Sequence, residues 1–251
     1  MFLEERHAQI LETLDRDGRV TVTDLARRFD VTEDCIRKDL KQLCAEGRCR
    51  RVYGGATKVE RPASRDVSGR LELGSVEKQR IAEKAVEFVR PGQTVFLDIS
   101  TTNLHLARLL AQRDVPCTVV SPMIDILSVV SGAGNITGIC PGGTMHRELN
   151  GFVGALAADA LSKFRFETAF LGASGIDVET REVITYEPED GALKSVALAR
   201  AAHSYLVSEI RKVGAFGTYR FASFDDFDAL VCDDADCDDA RLVRGAGLEV
   251  L

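Results

Sequence analysis

Along the first sixty residues, apolar positions recur three and four apart in three short blocks, each bounded by residues that start or stop a helix. Leu3, His7, Ile10, Leu11 and Leu14 fall at helical spacing ahead of Gly18, which predicts a first helix from about residue 3 to 16. Val20-Thr21-Val22 reads as a short extended piece. Thr23 then precedes Asp24-Leu25-Ala26-Arg27-Arg28-Phe29, so it is the expected cap of a short second helix with an acidic first turn. Asp30-Val31 forms the turn, and Thr32 caps a third helix that begins at Glu33-Asp34 and ends near Gly47. At about 100° per residue, Ile36, Leu40 and Leu43 of that helix share one arc, while Asp34, Arg37, Lys38 and Lys41 share another. One face is built to pack and the other is cationic. After Gly47, residues 48–59 read as two short strands around the pair Gly54-Gly55.

Beyond residue 60 the period changes. The stretch 60–74 is polar, carries Pro62, Ser64, Ser68 and Gly69, and reads as a linker. Farther on, short apolar runs at 94–97, 117–120, 168–171, 205–207 and 229–231 alternate with helical stretches. This pattern predicts an α/β, Rossmann-like domain with a largely parallel, buried sheet. The expected organisation is therefore a small winged helix-turn-helix domain over 1–59, a linker over 60–74 and an α/β domain over 75–251.

The 251 residues are 45% hydrophobic and 28% charged, without Trp, an ordinary globular composition that excludes collagen-like and low-complexity classes. The longest uncharged run, 126–145, is broken by five glycines and Pro141, so it forms no continuous apolar helix across a bilayer. Glu4 and Glu5 follow Met1-Phe2-Leu3 directly, unlike the start of a secretory signal, so a cytoplasmic protein with no membrane partner is expected. Seven cysteines in a chain of this length fit reduced thiols. Cys44/Cys49 and Cys232/Cys237 each enclose four residues, but no CxxC occurs and the four histidines are scattered. The cysteines read as small buried hydrophobes, and no metal is expected. Residues 225–239 hold eight Asp and no Lys or Arg, yet 233–239 lacks the Gly and terminal Glu of a calcium loop. That run reads as a solvated acidic turn.

Charge is distributed in two parts. The net charge is −7, but residues 1–60 hold 12 Lys/Arg and 12 Asp/Glu, so residues 61–251 carry the whole deficit. Within 37–58, seven cations stand against two acids, giving +5 in 22 residues. Because attraction to phosphate decays over a Debye length of roughly 8–10 Å, this local charge outweighs the distant one. Two helices joined by a tight turn, the second with a basic face, form the helix-turn-helix arrangement that enters the DNA major groove, and the basic hairpin makes a wing on the backbone. Double-stranded operator DNA is the expected partner. The candidate contacts are Thr32, Asp34, Cys35, Arg37, Lys38 and Lys41 on the helix and Arg50, Arg51 and Tyr53 on the wing.

In parallel sheets, ligands sit beyond the carboxyl ends of the strands. After Leu97 comes Asp98-Ile99-Ser100-Thr101-Thr102-Asn103 and a helix start, where hydroxyls and N–H groups suit a phosphate. Val120 leads to Ser121, and Cys140 to Pro141-Gly142-Gly143, whose glycines permit close backbone approach. Leu171 leads to Gly172, Ser174 and Gly175, and the segment Glu209-Ile210-Arg211-Lys212 places cations where an anion can lie.

The stretch Val31-Thr32-Glu33-Asp34-Cys35-Ile36-Arg37-Lys38-Asp39-Leu40, followed by Arg51-Val52-Tyr53-Gly54-Gly55-Ala56, resembles the N-terminal signature of the DeoR family of transcriptional regulators. Cys35 stands where the family usually has Thr, and Tyr53 where it often has His. From Ser75 to Leu251 the chain resembles the DeoR-type effector domain, which is similar in fold to ribose-5-phosphate isomerase. The resemblance implies a repressor of a carbohydrate-metabolism operon that senses a phosphorylated sugar and uses no cofactor. It also implies that Asp98, Ser100, Thr101 and Thr102 form the family's Asp-x-x-Thr-Thr loop, Gly142-Gly143 its glycine pair, Glu187 and Lys194 an acid and a lysine on the following helix, and Lys212 the lysine of Asp-x-Ser-Lys. Asp98, Ser100, Thr101, Thr102, Ser121, Gly142, Gly143, Glu187 and Lys212 make up the candidate effector site.

Glu209 and Arg211 replace the usual Asp and Ser before Lys212, and Ser121-Pro122 replaces Thr-Asn. Two readings of Arg211 stay open: charge for a second phosphate, or a side chain in solvent or paired with Glu209. A homo-oligomer, dimer or tetramer, is expected because one head offers little surface to DNA. The alternative is a sugar-phosphate isomerase-like enzyme with an accessory DNA-binding head, using Glu187, Glu209 and Lys212 for acid–base chemistry. That alternative leaves the basic N-terminal module unexplained.

Overall fold

The computed structural model describes residues 3–52, 54–58, 67–71 and 73–251. They form two compact units, one built on Met1–Arg61 and the other on Pro62–Val213 with Gly217–Leu251.

The N-terminal unit runs α1 (Leu3–Asp17), β1 (Arg19–Thr21), α2 (Val22–Phe29), α3 (Glu33–Ala45), β2 (Cys49–Val52) and β3 (Gly55–Lys58). The three strands form an antiparallel sheet in the order β1-β3-β2, and the hairpin β2-β3 is the wing. Among the described residues of this unit, the start of α2 departs from expectation. Its cap is Thr21, whose hydroxyl accepts the Asp24 N–H at 3.1 Å, so Val22 is helical and Thr23 lies inside the first turn, donating to Glu33 at 3.0 Å. Val22 decides this, because it is buried with Leu25, Ala26 and Phe29 and starts the apolar period earlier than Thr23 does. Asp30, at φ 53°, ends α2, and Thr32 caps α3 by accepting the Cys35 N–H at 3.3 Å. Ile10, Leu14, Leu25, Phe29, Ile36, Leu40 and Leu43 form a core of this unit's own, each large side chain contributing about 1.5–3 kcal/mol on burial.

The second unit opens with α4 (Val67–Leu71) and α5 (Ser75–Ala85). A helix thus occupies part of the stretch read as a linker. Val67 anchors it, since its side chain is buried and its N–H bonds the Glu148 carbonyl at 2.9 Å. There follow β4 (Thr94–Leu97), α6 (Thr101–Arg113), β5 (Cys117–Val120), α7 (Ile124–Val130), β6 (Ile136–Ile139), β7 (Thr144–His146), β8 (Gly151–Val153) and α8 (Ala155–Ser162). The chain continues through β9 (Phe166–Leu171), β10 (Gly175–Asp177), β11 (Glu182–Thr185), α9 (Pro188–Leu198), β12 (Ala201–Val207), β13 (Tyr219–Ser223), β14 (Ala229–Val231) and α10 (Asp238–Gly245).

Six strands form one parallel sheet in the order β14-β12-β9-β4-β5-β6. Its middle strands are covered on both faces: Val95, Phe96, Leu97, Ala169, Phe170 and Leu171 are all fully buried, which is why their sequences read as unbroken apolar runs. The chain moves outward from β4 to β6, then returns to the other side of β4 and builds β9, β12 and β14. The direction reverses between β4 and β9, and their carboxyl ends border the crevice where such sheets bind ligands. The antiparallel sheet β10-β11-β13 and the hairpin β7-β8 were not expected. Among the described residues, no helix is long and apolar enough to cross a membrane.

Candidate functional site

On α3 the two faces separate as the spacing predicts: Ile36, Leu40 and Leu43 are buried, and Arg37, Lys38 and Lys41 are exposed. Asp39, an acid of the basic segment, is turned inward. Its carboxylate accepts Arg6 Nε at 2.6 Å and Nη2 at 3.1 Å, so it does not offset the exposed charge. Arg37 is tied to its own helix, with Nη2 2.7 Å from Glu33 and Nη1 2.8 Å from Asp34. Asp34 therefore serves as a partner of Arg37, whereas Lys38 and Lys41 pair with no carboxylate among the described residues. Thr32 is the exposed cap, and Cys35 is half-buried one turn into the helix. On the wing Arg51 is exposed; Tyr53 and the Arg50 side chain lie outside the described residues.

At the sheet reversal stands Asp98, 1% exposed. Its Oδ2 accepts the Gly172 N–H at 2.6 Å and the Lys194 ammonium at 2.5 Å, and Oδ1 accepts Asn103 Nδ2 at 2.7 Å. One carboxylate thereby fastens the loop after β4 to the loop after β9. Lys194, on α9, is 2% exposed and also donates to Asp190 at 2.9 Å, which in turn accepts the Thr185 hydroxyl at 3.0 Å. Burial works against the ammonium, but Asp190 and Asp98 outweigh it and hold the Lys194 pKa above its ordinary value. Burial also raises the Asp190 pKa, with Lys194 opposing. Asp98 and Lys194 are buried and fasten the two loops to each other.

Ser100 caps α6, accepting the Asn103 N–H at 3.2 Å. Thr101 and Thr102 form the first turn, where their N–H groups have no acceptor within the helix. Ser121 is fully buried, its hydroxyl accepting the Met123 N–H at 3.1 Å, so it is used in shaping its own loop. Glu187 is half-buried at the start of α9 without a side-chain cap bond.

Gly142 and Gly143 differ. Both have positive φ, 75° and 119°, but a Cβ on Gly142 meets open space, whereas one on Gly143 stands 2.6 Å from the Val153 carbonyl oxygen and 2.9 Å from Ala157 Cβ. The second glycine is required by close packing on α8. Gly143→Ala is accordingly expected to cost about 1–3 kcal/mol beyond the backbone penalty that Gly142→Ala also incurs. Urea midpoints measured side by side check this, and equal losses for the two variants would refute the packing role.

A second cluster lies around Glu209, which is 1% exposed. Arg211 Nη2 stands 2.8 Å from its Oε1 and Lys212 Nζ 3.2 Å from its Oε2, which resolves the two readings of Arg211 in favour of pairing with Glu209. Burial alone raises the Glu209 pKa, but Lys212 and Arg211 bring it below the usual carboxylate value. Lys212 also donates to the Ala173 carbonyl at 2.9 Å, next to the Gly172 that bonds Asp98, so this cluster adjoins the reversal. Gly74, at φ 63°, starts α5 against the same carboxylate, where a Cβ would collide with Glu209 Oε1.

One turn into α5, Lys78 is 3% exposed and donates to the carbonyls of Leu73 and, at 2.6 Å, Arg70. Burial pushes its pKa down to about 8, with Glu209 opposing and Lys212, Arg211 and Arg70 reinforcing. Lys78, Arg211 and Lys212 thus act on one carboxylate, with Arg70 near enough to act on Lys78 and Lys212, a cationic setting suited to an anion. Sequence reasoning missed Lys78. Its signal was present: with Ile81, Ala82 and Ala85 it occupies the buried stripe of α5, a core position for which a lysine is an unusual choice.

The acidic run 225–239 faces solvent as expected, none of its eight Asp being buried, and three of them also tie down backbone. Asp226 closes a capping box with Ser223, Asp228 accepts the Ser204 N–H at 2.8 Å, and Asp233 accepts the Ile210 N–H at 2.7 Å. No group of three or more metal-ligating side chains occurs among the described residues.

Residues 6–61 match the DeoR-like helix-turn-helix domain and residues 74–234 the DeoR C terminal sensor domain. The chain is 30% identical over its full length to the HTH-type transcriptional regulator GlpR of Haloferax volcanii, covering 98% of that protein. It is 30% identical over its full length to the HTH-type transcriptional repressor GlcR of Bacillus subtilis, covering 96% of it. It is 27% identical over 91% of its length to the glycerol-3-phosphate regulon repressor of Escherichia coli, covering 90% of that chain. Among solved structures, ribose 5-phosphate isomerase A of Methanocaldococcus jannaschii aligns over 56% of this chain and 55% of its own, with 14% identity and a TM-score of 0.42.

Proposed function

Since this chain belongs to the DeoR family of helix-turn-helix transcriptional regulators, we propose that it represses a carbohydrate-metabolism operon and that a phosphorylated sugar, bound at the sheet reversal, sets its affinity for operator DNA. Membership in a family of regulators sets aside the isomerase reading. The observation that carries the effector assignment is the pair of lysines at the reversal, Lys78 and Lys212 beside Glu209, next to a helix start that presents the N–H groups of Thr101 and Thr102. A Lys ammonium has three donors, and Lys78 uses two on backbone carbonyls, leaving one for an anion. Relatives named for a glycerol-3-phosphate regulon and a lactose phosphotransferase system point to the same ligand class. The regulator works in the cytoplasm as a dimer or tetramer, and effector prefers one arrangement of its paired heads. By linkage, operator DNA then changes effector affinity by the same factor.

A thermal-shift screen across phosphorylated hexoses, pentoses and polyols tests the assignment, repeated with Lys212→Ala. The expected result is a stabilising phosphorylated ligand whose effect Lys212→Ala removes. No shift with any compound would overturn the reading.

The same site predicts a pH dependence. Lys78 loses its proton through about pH 8, so an anion held by it binds about tenfold more weakly at pH 9 than at pH 7. Lys212, whose pKa burial also lowers, titrates in the same sense, while Arg70 and Arg211 stay charged and Glu209 stays ionised. Lys78→Met is expected to bind more weakly at pH 7 and to lose less on going to pH 9. Calorimetric titration with the best ligand of the screen measures both, and a wild-type affinity flat from pH 7 to 9 would remove Lys78 from the site.

A further inference from the structure

The end of α3 and the first strand of the wing are joined by a four-residue turn with a cysteine at each end. Cys44, in the last turn of α3, is half-buried, and Cys49, opening β2, is 3% exposed. Their sulfurs lie 3.1 Å apart. Backbone bonds hold the turn: Gly47 N–H to the Cys44 carbonyl and Arg48 N–H to the Leu43 carbonyl, both at 2.9 Å, with Gly47 at φ 68°. With both backbones fixed, the sulfurs need to close by only about 1 Å to reach a disulfide length. Neither thiol belongs to the DNA-contact or effector residues.

We propose that Cys44 and Cys49 are an oxidation site, at which a peroxide converts the thiol pair to a disulfide that pins the recognition helix to the wing and weakens DNA binding. Cys44 is the attacking thiol, because it is the one that solvent reaches. Its thiolate attacks a peroxide oxygen, the O–O bond breaks, and one water leaves with Cys44 as a sulfenic acid. The Cys49 sulfur then attacks the Cys44 sulfur; the S–S bond forms, the S–O bond breaks, and the hydroxide departs with the Cys49 proton as a second water. Two thiols are oxidised and one peroxide is reduced to two waters. Cys49 suits the resolving role: its hydrogen bond with Cys44, and then burial, push its pKa up and keep it a thiol until the sulfenic acid forms beside it.

The consequence for DNA follows from what the pair joins. Lys38 and Lys41 stand on α3 and Arg51 on β2. A binding constellation tolerates displacements of only about 0.5 Å, so a covalent tie that holds α3 and β2 in one relative placement denies them the adjustment that simultaneous contact with the duplex needs.

The test uses the full chain and an operator duplex selected from a random pool by the reduced protein. After hydrogen peroxide treatment and alkylation under denaturing conditions, trypsin releases peptides 42–48 and 49–50 linked to each other, and dithiothreitol separates them. Operator affinity falls about tenfold on oxidation and returns on reduction. Cys44→Ser and Cys49→Ser bind as the reduced wild type does and do not respond to peroxide, and Cys49→Ser accumulates a dimedone-trapped sulfenic acid at Cys44. Should serine at the buried position unfold the head, Cys49→Ala keeps that site apolar and gives the same readout. Failure to find the linked peptides, or dimedone labelling absent from Cys44, would overturn the site. A linked protein that binds DNA as well as the reduced one would overturn its control of binding.

Discussion

Reversing both unpaired lysines of the recognition helix, Lys38→Glu with Lys41→Glu, is expected to lower operator affinity about a hundredfold or more at 0.1 M salt while leaving effector binding intact. Both side chains are exposed and make no ion pair among the described residues, so the substitutions leave the fold within about 0.5 kcal/mol of wild type. What they remove is attraction to phosphate, and each reversal adds repulsion in its place. The slope of log affinity against log salt should become shallower by about 0.9 for each phosphate that is no longer neutralised, which separates an electrostatic effect from a packing one. Arg37 behaves differently. It already shares its charge with Glu33 and Asp34 at 2.7 and 2.8 Å. Exposed pairs of this kind are worth about 0–1 kcal/mol, so DNA can draw the guanidinium away at little cost. Arg37→Ala should therefore weaken binding, and Glu33 and Asp34, left as unpaired acids on the same helix, deepen the effect. Anisotropy titrations from about 50 to 200 mM salt decide the matter, and an unchanged affinity and slope in the double variant would move the DNA contact off α3.

The N-terminal unit was legible because its signals are local. Thr32, the Ile36-Leu40-Leu43 stripe and Gly47 lie within one helix and its ends, and each acts on neighbours three or four residues away. The single misplacement, Thr23 for Thr21, arose where two hydroxyl residues flank a β-branched Val22. In isolation Val22 favours an extended backbone, and only its burial beside Leu25 and Phe29 draws it into α2. In the α/β unit the middle strands β4, β5 and β9 show as apolar runs because both faces are covered. Strands β10, β11 and β13 do not show, since they are short, and β13 joins β11 only across a long sequence separation with a bulge at Val183/Ile184.

The site divides the same way. Asp98 was visible as the residue after a strand, but its closure by Lys194 depends on where α9 lies. Arg211 was undecidable from sequence, because solvent, an anion and Glu209 all lie within reach of an arginine two residues away. Lys78 was decidable in principle, from its place in the buried stripe of α5.

The largest stability effect should come from Lys194, whose ammonium bonds both Asp98 and Asp190. Lys194→Met keeps much of the volume and leaves two carboxylates facing each other out of water. Breaking a buried pair in this way costs about 3–5 kcal/mol, which for a unit of this size lowers the melting temperature by roughly 6–20 °C. The pH dependence identifies the cause. With the ammonium gone, burial and mutual repulsion raise the carboxylate pKa values of the folded state above those of the unfolded chain. Their contribution is then most favourable below the unfolded pKa, near about 4, and is lost as pH rises through the folded values. Lys194→Met should thus be less destabilised relative to wild type at pH 5 than at pH 7.5. Replacing a carboxylate as well, in Lys194→Met with Asp190→Asn, should recover part of the loss at pH 7.5 because one buried charge disappears. Thermal melts of the three proteins at both pH values measure this, and a deficit independent of pH would mean that Lys194 acts by packing, through neighbours such as the Phe221 ring 5.8 Å from its Nζ, rather than by charge.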